Sequence, residues 1–122
     1  MRAVDREVAR ACLLVESAEA LLDPVTAVSG SGPAYVFLFI EALQRAGQEL
    51  GLTADQGKAL AIQTFVGAAK LAAASADAPS VLRERVTSKG GTTERALASM
   101  ANDKVVEAIT RAVHAANARA GE

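Results

Sequence analysis

The chain has 122 residues, enough for one domain with a core of its own and too few for two ordinary ones. Hydrophobic residues make up 51% and charged ones 22%, with 13 Lys and Arg against 14 Asp and Glu, so no bulk positive field recommends nucleic acid or anionic lipid as a partner. Cys12 and His114 are the only residues of their kinds, which excludes an internal disulfide and leaves no metal site at recognisable spacing.

Alanine dominates, β-branched residues are scattered and no period-2 run is sustained, so the reading is all-α, with about six helical segments. From Ala3 to about Leu22, apolar residues at Val4, Val8, Ala11, Val15, Ala18 and Leu22 form one helical stripe, although "CLLVE" inside it also reads as a short strand. Pro24 is expected to stop this pattern. "TAVSGSGP" then supplies small and turn residues before Pro33, whose fixed φ and missing N–H suit the start of a helix. No stretch approaches the roughly 18 to 20 apolar residues of a membrane span, and "MRAVDREVAR" is charged where a signal peptide needs its apolar centre. A cytoplasmic protein with no membrane partner is expected, and Cys12 fits a reducing compartment.

The helix from Pro33 opens with "AYVFLFI", apolar on every side for two turns. A helix without a polar face must be surrounded, either at the centre of its own bundle or at the contact surface of an oligomer. Polar Glu41, Gln44, Arg45 and Gln48 come only in its second half, and Gly51 is placed as a C-terminal cap. "TADQ" at Thr53 to Gln56 fits a capping box that opens a helix to about Ala74, with Ala59, Ile62, Val66, Ala69 and Ala73 as its expected buried stripe. Asp77 and Pro79 start a short helix through about Val86, and another follows from about Thr93 to Ala101. The last helix is opened by Asp103 and closes near Gly121. Val105, Ile109, Ala112, Val113 and Ala116 are expected inside it, with an outer Glu107–Arg111 pair beside a solvated His114.

Between the short helix and the next lies "VTSKGGTTERAL", Val86 to Leu97. The first N–H groups of a helix lack intrahelical partners, and the aligned peptide dipoles leave about half a positive charge there. Ser88, Lys89, Gly90, Gly91, Thr92 and Thr93 add backbone that a ligand can approach closely, hydroxyls and an ammonium, a setting for a carboxylate or phosphate. The plain alternative is that Thr92 or Thr93 caps its own helix and Glu94 answers the dipole. The spacing is not that of a P-loop, and "GSGP" is not a dinucleotide fingerprint.

Three segments in order, "AVSGSGPAYVFLFIEAL" at Ala27 to Leu43, "GAAK" at Gly67 to Lys70 and "RVTSKGGTTERAL" at Arg85 to Leu97, resemble the C-terminal domain of pyrroline-5-carboxylate reductase. The resemblance covers about residues 15 to 122. It implies the following for this chain: an all-α bundle of the 6-phosphogluconate dehydrogenase C-terminal-like kind, two copies interlocked as a homodimer that sometimes assembles further, and a share in the NADPH- or NADH-dependent reduction of 1-pyrroline-5-carboxylate to L-proline, the last step of proline biosynthesis. It also implies that Ser88, Gly90, Gly91, Thr92 and Thr93 receive the substrate carboxylate, that the Thr93 hydroxyl lies near the ring nitrogen as the catalytic residue, and that Ser29 to Pro33 line the same region. Lys89 departs from the commoner proline at its position. Residues 1–26 are expected to be a linker and first helix, with "CLLVES" matching the last strand of a nucleotide-binding domain, and residues 27–122 the dimerisation and substrate-binding domain. Because no Gly-x-Gly-x-x-Gly follows a strand, the chain is expected to bind no cofactor itself and to reduce nothing alone. A free-standing helical interaction module and a small-anion-binding module remain the alternatives.

Overall fold

The computed structural model describes residues 19–122, which are helix and turn with no strand among them. Cys12, the stripe from Ala3 and the strand reading of "CLLVES" lie outside the described residues. The chain divides into two compact units: the residues up to Leu38 with Val106–Glu122, and Phe39–Val105.

In the first unit a 3₁₀ turn (Glu19–Leu21) leads into helix α1 (Leu22–Val25) and a π turn (Thr26–Gly30). Pro24 therefore does not end a helix. It is the third residue of α1, within the first turn, where a backbone N–H would have no partner and its absence costs nothing. The segment "TAVSGSGP", with its small and turn residues, is mostly wound as well, since the Ser31 N–H donates to the Thr26 carbonyl at 2.8 Å, a five-residue step. Tyr35 ties this turn to the next helix by donating its hydroxyl to the Ala27 carbonyl at 2.8 Å, and Ala27 is fully buried. Helix α2 (Gly32–Glu49) has Pro33 as its second residue, as its fixed φ demands.

The second unit holds the rest of α2, which closes in a Schellman motif. The Leu52 N–H donates to the Gly47 carbonyl at 2.9 Å and the Gly51 N–H to Gln48 at 3.1 Å, with Gly51 at φ +108 as expected of the cap. Thr53 and Gln56 form the expected capping box in both directions, at 3.1 and 3.0 Å, and open α3 (Ala54–Ala74). Helices α2 and α3 approach at Gly57, where a Cβ would stand 3.1 Å from the Gln44 carbonyl oxygen, and Gln44 Nε2 donates to Ala54 at 3.0 Å. Phe39 and Phe65 meet edge to face, 5.5 Å between centroids. Helix α4 (Pro79–Arg85) carries Arg85, paired to Asp77 at 2.6 Å. Helix α5 (Thr92–Asn102) follows, and Lys104, at φ +56, turns the chain into α6 (Val105–Ala120).

Within a single copy these helices bury little. Of the expected α3 stripe, Ile62 is half-buried and Ala59, Val66, Ala69 and Ala73 are exposed, while Gly57 and Ala61 are the buried positions. On α6, Val105, Val113 and Ala116 are half-buried but Ile109 and Ala112 are exposed, and Glu107–Arg111 is not among the ion pairs of the described residues. Helix α2 buries no residue at all, with Phe37 59% and Leu38 67% exposed. Among the described residues, then, nothing of its own chain encloses the apolar opening of α2. The run Leu22–Glu49 is long and apolar enough by length and composition to cross a membrane, contrary to the sequence expectation.

Candidate functional site

The glycine loop is held by its own chain through a few definite bonds. Val86 N–H donates to the Arg83 carbonyl and Thr87 N–H to Glu84, while the Thr87 hydroxyl donates back to Arg83 at 2.6 Å, so α4 ends in a tight tethered turn. The Gly91 N–H then returns to the Ser88 carbonyl at 3.0 Å, a turn that needs Gly90 in the left-handed region at φ +76. A Cβ on Gly91 would lie 3.2 Å from that same carbonyl oxygen, a tight contact that any larger residue would have to relieve by a few tenths of an ångström of backbone shift.

Gly91 is the residue that precedes α5, and no side chain caps it. Its carbonyl accepts the Arg95 N–H at 3.2 Å, the first bond of the helix. The amides of Thr92, Thr93 and Glu94 occupy the positions that a helix leaves without internal partners, and no acceptor meets them among the described residues. The hydroxyls of Ser88, Thr92 and Thr93 likewise make no hydrogen bond there. Neither threonine caps the helix, so the plain alternative does not hold for them. It does hold for Glu94, whose Oε1 accepts from the Gly90 N–H at 3.0 Å.

The loop therefore offers partial positive charge in the open. Ser88, Lys89, Gly90, Thr92 and Thr93 are exposed and Gly91 is half-buried. Of the expected carboxylate-receiving residues, Gly90 and Gly91 spend their amides within the loop, and the open donors lie at Thr92, Thr93 and Glu94. Such an arrangement holds a small anion by charge-assisted hydrogen bonds. In the other unit, Ser29 and Gly30 belong to the π turn, and Gly32 and Pro33 open α2.

A groove of about 220 Å³ lies elsewhere, in the first unit, lined by Pro24, Ala27, Val28, Thr110, Val113, His114 and Asn117. His114, expected as a plain solvated residue, is exposed on α6 but forms part of this wall. Asn117 Oδ1 is buried there without a hydrogen-bond partner among the described residues. No local pattern could have announced this groove, because it depends on Pro24 lying inside a helix rather than after one.

The family profile of pyrroline-5-carboxylate reductase dimerisation matches residues 19–122. The pyrroline-5-carboxylate reductase of Pseudomonas aeruginosa is 46% identical over 104 residues, covering 85% of this chain and 38% of that protein. Pyrroline-5-carboxylate reductase 2 of Bacillus subtilis is 43% identical over 101 residues, covering 83% and 36%. Among solved structures, the Coxiella burnetii pyrroline-5-carboxylate reductase superposes with a TM-score of 0.83 at 36% identity, over 99% of this chain and 47% of that one. The Plasmodium falciparum enzyme, solved with NADP bound, gives 0.81 at 36% identity over 84% and 40%. The chain thus spans about two fifths of the length of the curated relatives it matches. Its all-helical fold, its glycine loop at a helix start and these matches agree: the chain belongs to the pyrroline-5-carboxylate reductase dimerisation family.

Proposed function

We propose that the chain supplies the dimerisation and substrate-binding part of an NAD(P)H-dependent pyrroline-5-carboxylate reductase, an oxidoreductase that converts 1-pyrroline-5-carboxylate to L-proline in the cytoplasm. The observation that carries this reading is the open amide set of Thr92, Thr93 and Glu94 at the start of α5. It is joined by the family match over the same residues.

The chemistry requires hydride addition to the carbon of a C=N bond and a proton on its nitrogen, and the protonated imine is the better hydride acceptor. The site must therefore anchor an anionic carboxylate a few ångströms from a cationic nitrogen. In our reading the carboxylate accepts from the Thr92 and Thr93 amides and from the Ser88 hydroxyl, with Gly90 and Gly91 shaping the turn that admits it. The Thr93 hydroxyl, on the second residue of the helix, is the group assigned to the ring nitrogen. Each hydrogen bond to a charged group contributes about 1.5 to 3 kcal/mol and the dipole about 0.3 to 1 kcal/mol, before the cost of immobilising the ligand. Millimolar affinity, about 4 kcal/mol, is the expected outcome for L-proline.

The described residues do not fit a dinucleotide: they contain no strand and no Gly-x-Gly-x-x-Gly turn between strand and helix. We assign no residue of this chain to the hydride donor. The same reading assigns the apolar face of α2 to a second copy, as a homodimer, and the charges of Glu41, Arg45 and Glu49 along α2 favour a protein partner over lipid.

An amide-resolved NMR titration of the chain with L-proline tests the site. Shifts confined to Ser88–Glu94, weakened at least about fivefold by Thr93→Ala with an unchanged melt, are expected. Binding that Thr93→Ala leaves untouched, or shifts elsewhere only, would refute the assignment.

A further inference from the structure

We propose that the Tyr35 hydroxyl selects the winding of the turn between α1 and α2, so that one side-chain donor decides which way α1 and Ser29 face. The inference stands apart from the reading of the glycine loop, which lies in the other unit.

In an α-helix the Ser31 N–H would donate to the Ala27 carbonyl, four residues back. Here it donates to Thr26 instead, at 2.8 Å, and Thr26–Gly30 winds as a π turn. That step by one carbonyl takes from Ala27 its α-helical donor, in a residue with no exposed surface. A buried carbonyl left without a donor is costly. The hydroxyl of Tyr35, the fourth residue of α2, supplies the donor at 2.8 Å. Winding the turn as α would satisfy Ala27 from the backbone and make the hydroxyl redundant, whereas the π winding depends on it. The two arrangements exchange one amide bond for another, and the side-chain bond separates them.

The helix after the turn is indifferent to the choice. It starts afresh at Gly32, and Pro33, having no N–H, makes no claim on the Ser29 carbonyl in either winding. The residues before the turn are not indifferent. Rewinding π as α moves them by one helical position, about 100° around the axis and about 1.5 Å along it. Pro24, Ala27 and Val28 share a groove with Thr110, Val113, His114 and Asn117 of α6 in the π register, and such a rotation carries that wall off α6. Ser29, inside the turn, is reoriented with it. Tyr35 is thus a positioning residue, acting through the Ala27 carbonyl on everything that the turn aims.

The test compares the full chain with Tyr35→Phe, which keeps the ring and removes only the oxygen. Scalar coupling across the hydrogen bond, read by NMR, identifies the carbonyl that the Ser31 N–H uses. In the unsubstituted chain the Ser31 nitrogen should couple to the Thr26 carbonyl carbon. In Tyr35→Phe that coupling should be lost and replaced by one to Ala27, with the Val113, His114 and Asn117 amides shifting together. Ser31 still coupled to Thr26, or to neither carbonyl, would overturn the proposal, since a packing role alone leaves the partner unchanged. A second variant adds deletion of Ser29 to Tyr35→Phe. Ser31 then lies four residues after Thr26, so α winding keeps their bond, and Gly32 lies four after Ala27. The α6 amides should return towards their original shifts, and the fold should be recovered if Tyr35→Phe alone loses it. A double variant that restores neither overturns the proposal.

Discussion

Phe37 carries the sharpest test of what α2 is for. Its side chain is 59% exposed in a helix that buries nothing within its own copy. An aromatic side chain presents about 200 Å², so about 120 Å² is on offer, of which truncation to alanine removes about 80 Å². At about 25 cal/mol per Å² this is about 2 kcal/mol per copy, and a two-fold interface counts it twice, giving about 4 kcal/mol. With about 1.4 kcal/mol per factor of ten, Phe37→Ala should raise the dimer dissociation constant about a thousandfold. Sedimentation equilibrium from nanomolar to high micromolar concentration reads this directly, and circular dichroism checks that helix content is retained at the top of the range. A dissociation constant within about threefold of the unsubstituted chain, or a well-folded monomer at micromolar concentration to begin with, would refute the reasoning.

Thr53→Ala removes the oxygen that accepts from Gln56 at 3.1 Å, and should cost about 1 kcal/mol, seen as a melting temperature lower by about 3 to 5 °C. An unchanged melt would mean that the capping box does not hold α3. Lys104→Gly relieves a left-handed backbone at φ +56 and should stabilise the chain by about 0.5 to 1 kcal/mol in urea unfolding, whereas a loss of stability would count against strain there. Gly57→Val places carbon 3.1 Å from the Gln44 carbonyl and should cost about 1 to 3 kcal/mol, while Gly67→Ala, with nothing within 4 Å, should gain up to about 1 kcal/mol. Equal effects at the two glycines would show that the α2–α3 approach is not tight.

Local chemistry was legible wherever the residues that decide a feature are neighbours in sequence. Thr53 with Gln56 satisfies orphan amides through side chains, Gly51 and Pro33 supply backbone angles that the ends of α2 need, and α4 and α5 begin and end within about a residue of where Pro79 and the glycine pair place them. Pro24 was misread because proline is tolerated in a first turn and forbidden later, and nothing local says which turn this is. The buried stripes failed for a different reason. Periodicity finds the apolar face of a helix but not what covers it, and on α3 and α6 the described residues leave most of the expected stripes exposed. At the loop, the spacing pointed to a helix start with open amides. It did not reveal that Gly90 and Gly91 use theirs internally, which depends on the Gly90 backbone angle and the reach of Glu94.

The bare α2 also bears on how the chain comes into being. In the homodimer proposed above, a segment whose apolar side chains find no cover among the described residues gains its stability from the second copy, and folding and encounter then become one second-order event. Dilution then slows the productive route without slowing first-order misfolding, and the yield of native material becomes a question of how many copies are made together, and where.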